Sequence, residues 1–145
     1  MNKDICITHP SIAYNLLKKH AGSRQENIWV ITLSGAHTVI KVHNISKGTA
    51  ERALCHPREV FFCLIKDNAS AFILVHNHPS GVVTASEEDN ELTCNLDRAA
   101  KLMGFRFLDH IIISKKGYLS YQQEGMLTKD LDSVKFNDLI KSFSA

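Results

Sequence analysis

Residues 73–89 read ILVHNHPSGVVTASEED. An apolar run ends in two histidines, His76 and His78, separated by one residue. A Pro-Ser-Gly turn follows, and Ser86 then introduces Glu87, Glu88 and Asp89. The run with the preceding residues, SAFILVH, is continuously apolar, the mark of a strand covered on both faces. In an extended segment residues i and i+2 point the same way, so His76 and His78 share a direction at the strand's end. Ser86 is placed to cap a helix, Ser86-x-x-Asp89 is a capping-box variant, and the three acids suit the positive end of a helix dipole. Leu92, Leu96, Ala99 and Met103 then recur at helical spacing until Gly104 stops the helix.

Working outward, the N-terminal side predicts a helix in THPSIAYNLLKKHAG, with Pro10 in its opening turn and Gly22 to end it. NIWVITLSGAHTVIKVHNIS predicts two strands joined by a turn around Ser34-Gly35. HPREVFFCLIKDN predicts a helix with Pro57 near its start. On the C-terminal side, FRFLDHIIIS and GYLSYQQ predict a second hairpin turning at Lys115 to Gly117, and LDSVKFNDLIKSF a terminal helix. Helices alternate with strands around a buried central strand, so the expected architecture is an α/β sandwich built on one mixed sheet. The chain has 145 residues, the size of one domain able to bury a core without disulfide or metal staples.

Composition narrows the classes. The chain is 44% hydrophobic and 22% charged, ordinary for a globular protein, and its formal net charge of +2 does not support a nucleic-acid partner, because phosphate binding needs a concentrated basic face. The cysteines, Cys6, Cys55, Cys63 and Cys94, show no CxxC spacing; buried free thiols in a reducing compartment are expected, with a cysteine nucleophile left open. No apolar segment approaches membrane-span length and no signal peptide opens the chain, so a cytoplasmic protein without membrane association is expected.

Two neutral imidazoles and the Asp89 carboxylate fill three corners of a tetrahedral zinc site and leave one for water, the pattern of a catalytic rather than a structural site. Spacing alone leaves the alternative of surface or internally satisfied histidines open, and leaves Ser86 as a cap, as a functional hydroxyl, or as both. The letters H-N-H do not indicate an HNH nuclease, whose three residues come from separated elements. His43, His56, His110 and Asp109 read as structural, Asp109 also as a neighbour of the site.

His76-x-His78, seven residues, Ser86, two residues and Asp89 resemble, without a gap, the JAMM motif of the MPN metalloprotease superfamily. The wider pattern HPREVFF, ILVHNHPSG, LDHIII and GYLSY resembles the JAB-type domain of the RadC family, over about residues 11–127. The resemblance implies a cytidine-deaminase-like α/β sandwich as a single domain over residues 1–145, with a helical tail over 128–145. It implies Zn2+ held by His76, His78 and Asp89. It adds Glu26, just ahead of the first strand, as general base toward the metal's water, a residue that spacing cannot tell from Glu51, Glu59 or Glu88. It gives Ser86 the task of holding an oxyanion. The implied activity is hydrolysis of a peptide or isopeptide bond in an unidentified protein or peptide. The alternative is a DNA repair-associated or scaffolding module of RadC type with a non-catalytic metal site. An N-terminal helix-hairpin-helix-like region of full-length RadC-type proteins has no counterpart here, and Ala85 stands where the family has proline. An exposed sheet edge is expected to admit a homodimer or an extended peptide.

Overall fold

A computed structural model of the chain describes residues 4–46 and 55–127. The elements run α1 (Pro10–Leu17), β1 (Ile28–Leu33), β2 (Val39–Asn44), α2 (Pro57–Lys66), β3 (Ala71–Asn77), α3 (Glu87–Met103), β4 (Arg106–Ser114) and β5 (Gly117–Ser120), with a short 3-10 turn at Lys18–His20. The five strands form one sheet in the order β2-β1-β3-β4-β5. Only the β3–β4 pair is parallel; β1 pairs antiparallel with both β2 and β3, and β4 with β5. The mixed sheet follows from the connections: hairpins set β2 antiparallel to β1 and β5 antiparallel to β4, the path through β2 and α2 brings β3 antiparallel to the other side of β1, and α3 carries the chain back over the sheet so that β4 lies parallel to β3.

Alternation along β3 divides the core in two. Phe72 and Leu74 face α2 and α3, packing with Val30, Val60, Leu64, Leu96 and Ala100. Ala71, Ile73 and Val75 face α1, packing with Ala13, Leu17, Ile31, Ile111 and Ile113. All seven residues of β3 are buried, as its unbroken apolar run predicts. Burial on both faces makes β3 the rigid member of the sheet, and His76, Asn77 and His78 stand at its C-terminal end.

The helix boundaries carry the expected signals. Pro10 and Pro57 open α1 and α2, where the missing proline N–H would have had no partner. Gly104 ends α3 in the left-handed conformation with φ 81°. Several expectations are corrected. The first helix stops at Leu17 and tightens into the 3-10 turn before reaching Gly22. Strand β5 ends at Ser120 rather than Gln123, because the Ser120 hydroxyl and the Gln122 N–H both turn to the Asp109 carboxylate. Only Cys63 of the four thiols is buried, while Cys6 and Cys94 are exposed: both sit on faces turned away from the core. The expected terminal helix in LDSVKFNDLIKSF lies outside the described residues. Among the described residues no helix is long and apolar enough to cross a membrane.

Candidate metal centre

Glu26, His76, His78 and Asp89 meet at the C-terminal end of β3, each offering a ligand atom within 4.8 Å of the others. Their convergence is built from three local rules. Pleat alternation sends His76 and His78 to the α3 side, in phase with Phe72 and Leu74. Ile28 pairs with His76 across β1 and β3, so Glu26, two residues before Ile28 and in phase with it, arrives on the same side. Asp89 is the third residue of α3 and is held by a complete capping box. Ser86 Oγ accepts the Asp89 N–H at 3.1 Å and Asp89 Oδ2 accepts the Ser86 N–H at 2.9 Å. The cap uses a lone pair of the Ser86 hydroxyl and leaves its O–H proton free to point elsewhere.

The ring tautomers follow from what the far nitrogens touch. His78 Nδ1 lies 2.7 Å from the Val82 carbonyl oxygen, so it must carry the proton and donate. The turn that brings Val82 back is closed by Gly81 N–H on the His78 carbonyl at 2.9 Å, with Gly81 at φ 82°, a conformation glycine adopts without strain. His76 Nδ1 lies 2.7 Å from His110 Nε2. His110 Nδ1 in turn makes a short contact with the Thr93 hydroxyl, and that hydroxyl donates to the Asp89 carbonyl at 2.8 Å. A carbonyl only accepts, so the chain has one sense: His76 Nδ1–H to His110, His110 Nδ1–H to Thr93, Thr93 O–H to Asp89. Both imidazoles therefore present unprotonated Nε2 atoms inward when neutral.

Those two lone pairs lie 2.8 Å apart, and the Asp89 oxygens lie 3.1 Å from each of them. Three acceptors so placed repel one another unless a cation or a proton lies among them. The separations approach the roughly 3.3 Å edge of a tetrahedron with metal–ligand bonds of about 2.0–2.1 Å. The donor set, two imidazole nitrogens and a carboxylate with each far atom anchored, thus fits a zinc-like divalent cation. Glu26 Oε1 stands farther off, 3.9 Å from His76 Nε2, with a fifth of its side chain exposed.

Electrostatics agree with the geometry. Burial pushes the Asp89 carboxyl up, but when a proton rather than a cation lies in the ring, hydrogen bonding with His76 and His78 outweighs burial and holds the group well below the usual carboxylate range. The Asp89 hydrogen bond raises the His78 pKa against burial. His110, completely buried and next to His76, is held neutral, its pKa well below the ordinary value; it stacks on Tyr121 with centroids 4.6 Å apart.

A family model described as a RadC-like JAB domain matches residues 7–126. The chain belongs to that family. A UPF0758 protein of Staphylococcus haemolyticus is 43% identical over 125 residues, which are 86% of this chain and 55% of that protein. UPF0758 proteins of Symbiobacterium thermophilum and Thermotoga maritima are 45% and 44% identical, each over 71% of this chain and 44% and 46% of their own lengths. The chain spans about half the length of these curated relatives. RadC-like JAB domains fall within the JAMM/MPN-related superfamily.

The RadC-like JAB domain brings together all four residues expected around a metal, with Ser86 beside them as helix cap. Of the remaining histidines, His43 pairs with Asp67 at 2.6 Å, far along the chain from the cluster. Asp109 serves the turn after β5 and not the site; burial pushes its pKa up. His110 reads as structural in the sequence, and in the fold it touches His76, one of the four residues that could hold a metal. Its signal in the sequence is its place, a histidine in the otherwise apolar run of DHIIIS, where a buried ring nitrogen must find a partner. Thr93 carries no such signal.

Proposed function

We propose that this domain is a cytoplasmic zinc-dependent hydrolase of amide bonds, acting on a peptide or on an isopeptide-linked protein. The observation that supports it most is the convergence of His76 Nε2, His78 Nε2 and the Asp89 carboxylate, with a fourth group, the Glu26 carboxylate, standing just outside that ring. A divalent cation bound there supplies Lewis acidity, lowering the pKa of water to about 7.

The chain's own residues supply the rest. Asp89 stays ionised and, with the two histidines, would hold the cation. Glu26 is near enough to take a proton from an attacking water and, being partly exposed, to hand it to a leaving amine. The Ser86 O–H, free of the cap, donates toward the oxygen on which charge develops, a contact worth roughly 3 kcal/mol when preorganised. Among the described residues β2 and β5 are the sheet edges, and although the Ile5 carbonyl already accepts the Val39 N–H at the start of β2, an extended peptide or a second copy of the domain would pair with backbone along them.

The test is zinc stoichiometry of the purified protein together with N-terminal labelling of products from a peptide library. Zinc near one per chain, with new amino termini from wild type and none from Glu26→Gln, is the expected result. Wild-type protein that refuses zinc, or cleavage that survives Glu26→Gln, overturns the reading. Submicromolar DNA binding with a steep salt slope, unchanged when zinc is stripped, favours a repair-associated module instead.

A further inference from the structure

Glu26 lies in residues 21–27, a connection without helix or strand, yet its proposed task requires a defined stand-off from the metal ligands. One buried side chain secures it. Asn77, between the two histidines, points to the opposite face of β3 and has no exposed surface. Its Oδ1 accepts the Asn27 N–H at 2.7 Å. Its Nδ2 donates to the Gln25 carbonyl at 2.9 Å and the Ser23 carbonyl at 3.4 Å. Its own N–H reaches the Asn27 carbonyl at 3.3 Å.

The Gln25 carbonyl and the Asn27 N–H belong to the two peptide units that flank the Glu26 Cα. A single amide therefore grips the backbone on both sides of Glu26. An amide flip would set NH2 against N–H and oxygen against carbonyl, so the donor and acceptor ends are forced. Because Asn77 is covalently continuous with His76 and His78, the base and both histidines are referenced to one rigid strand end.

We infer that Asn77 is a positioning residue that sets the Glu26 carboxylate relative to the metal ligands, an inference that rests on the proposed role of Glu26. The alternative is that Asn77 only satisfies buried loop backbone. The two differ in coupling, and a double-mutant cycle measures it. The probe is acetohydroxamic acid binding to the zinc-loaded protein by calorimetry, since a hydroxamic acid chelates a divalent cation after giving its proton to a nearby carboxylate. Asn77→Asp keeps the acceptor for Asn27 but turns the donor into an acceptor facing two carbonyls.

Glu26→Gln is expected to weaken acetohydroxamate binding about tenfold to a hundredfold, the loss of one hydrogen bond to a charged group. Asn77→Asp should weaken it comparably, with zinc still near one per chain, and should change it less than about twofold in the Glu26→Gln background. Equal weakening in both backgrounds, no weakening, or loss of zinc from Asn77→Asp overturns the inference while leaving Glu26 as base. Unchanged affinity in Glu26→Gln is a separate result: it removes Glu26 from the reading and this inference with it. If Asn77→Asp does not fold, Asn77→Ser carries the same cycle with the same outcomes.

Discussion

His43 and His78 each meet a carboxylate, Asp67 at 2.6 Å and Asp89 at 3.1 Å, and both pairs are largely shielded from water. The Asp67 pair is a clasp. Asp67 caps the end of α2 and accepts from the Thr32 hydroxyl at 2.7 Å as well as from His43, so it ties β1 and β2 to that helix. Thr32 also accepts the Lys41 N–H at 3.1 Å, next to the irregular register at Thr32/Leu33. His43 Nε2 and the Thr32 hydroxyl both face Asp67 Oδ2 as donors, so that carboxylate is satisfied without an ion. The Asp89 cluster is the reverse: Nδ1 of both rings is committed outward, to Val82 and to His110, and unprotonated nitrogens and carboxylate oxygens face one another. Both places pair histidine with aspartate; what separates the clasp from the candidate metal centre is that one ring nitrogen meets the carboxylate in the first and two converge on it in the second.

The largest expected effect breaks the comparison outright. His78→Ala should lose stoichiometric zinc by elemental analysis, whereas His43→Ala should keep it; zinc retained by the first or lost by the second would erase the distinction. Next comes the outer support of the candidate metal centre. His110→Phe removes the acceptor that fixes the His76 tautomer and should weaken zinc binding about 10- to 100-fold in a chelator competition. An unchanged affinity would mean that His76 is oriented by packing alone.

The clasp should respond in stability instead. Asp67→Asn is expected to cost about 1–3 kcal/mol in denaturant unfolding, with zinc content unchanged. Burial raises the Asp67 pKa, but the His43 and Thr32 hydrogen bonds outweigh it, leaving the pKa below its ordinary 3.8. A depressed carboxylate adds stability that is fully present above the unfolded value and is lost as pH falls through the folded one. The gap between wild type and Asp67→Asn should therefore be widest above pH 3.8 and close below it; a gap that grows in acid contradicts the assignment. The smallest effect belongs to the cap: Ser86→Ala should lower stability by about 1 kcal/mol, read as a modest fall in Tm of the metal-free protein.

Much of the fold was legible because its signals are local. Proline at the first turns, glycine after α3, the capping box at Ser86 and the unbroken apolar run of β3 each act within a few residues, and the structure carries all of them. The His76/His78 pair was legible for the same reason, since pleat alternation needs no tertiary information. The weaker elements were β5, whose end is decided by Asp109 on the neighbouring strand, and the end of α1, where no single residue enforces a stop. Glu26 was reachable only through the family pattern: nothing adjacent to it distinguishes that glutamate from several others.

The amino-acid sequence by itself determined the elements, the mixed α/β class and a pair of imidazoles beside a capped acid, because periodicity and capping are properties of neighbouring residues. The tertiary structure alone decided which far-off groups meet that pair. His110 reaches His76 through the parallel register of β4, Thr93 closes the chain from α3, and Asn77 grips the Glu26 loop across 50 residues. Such contacts depend on strand order and sheet register, and no short stretch of sequence encodes either.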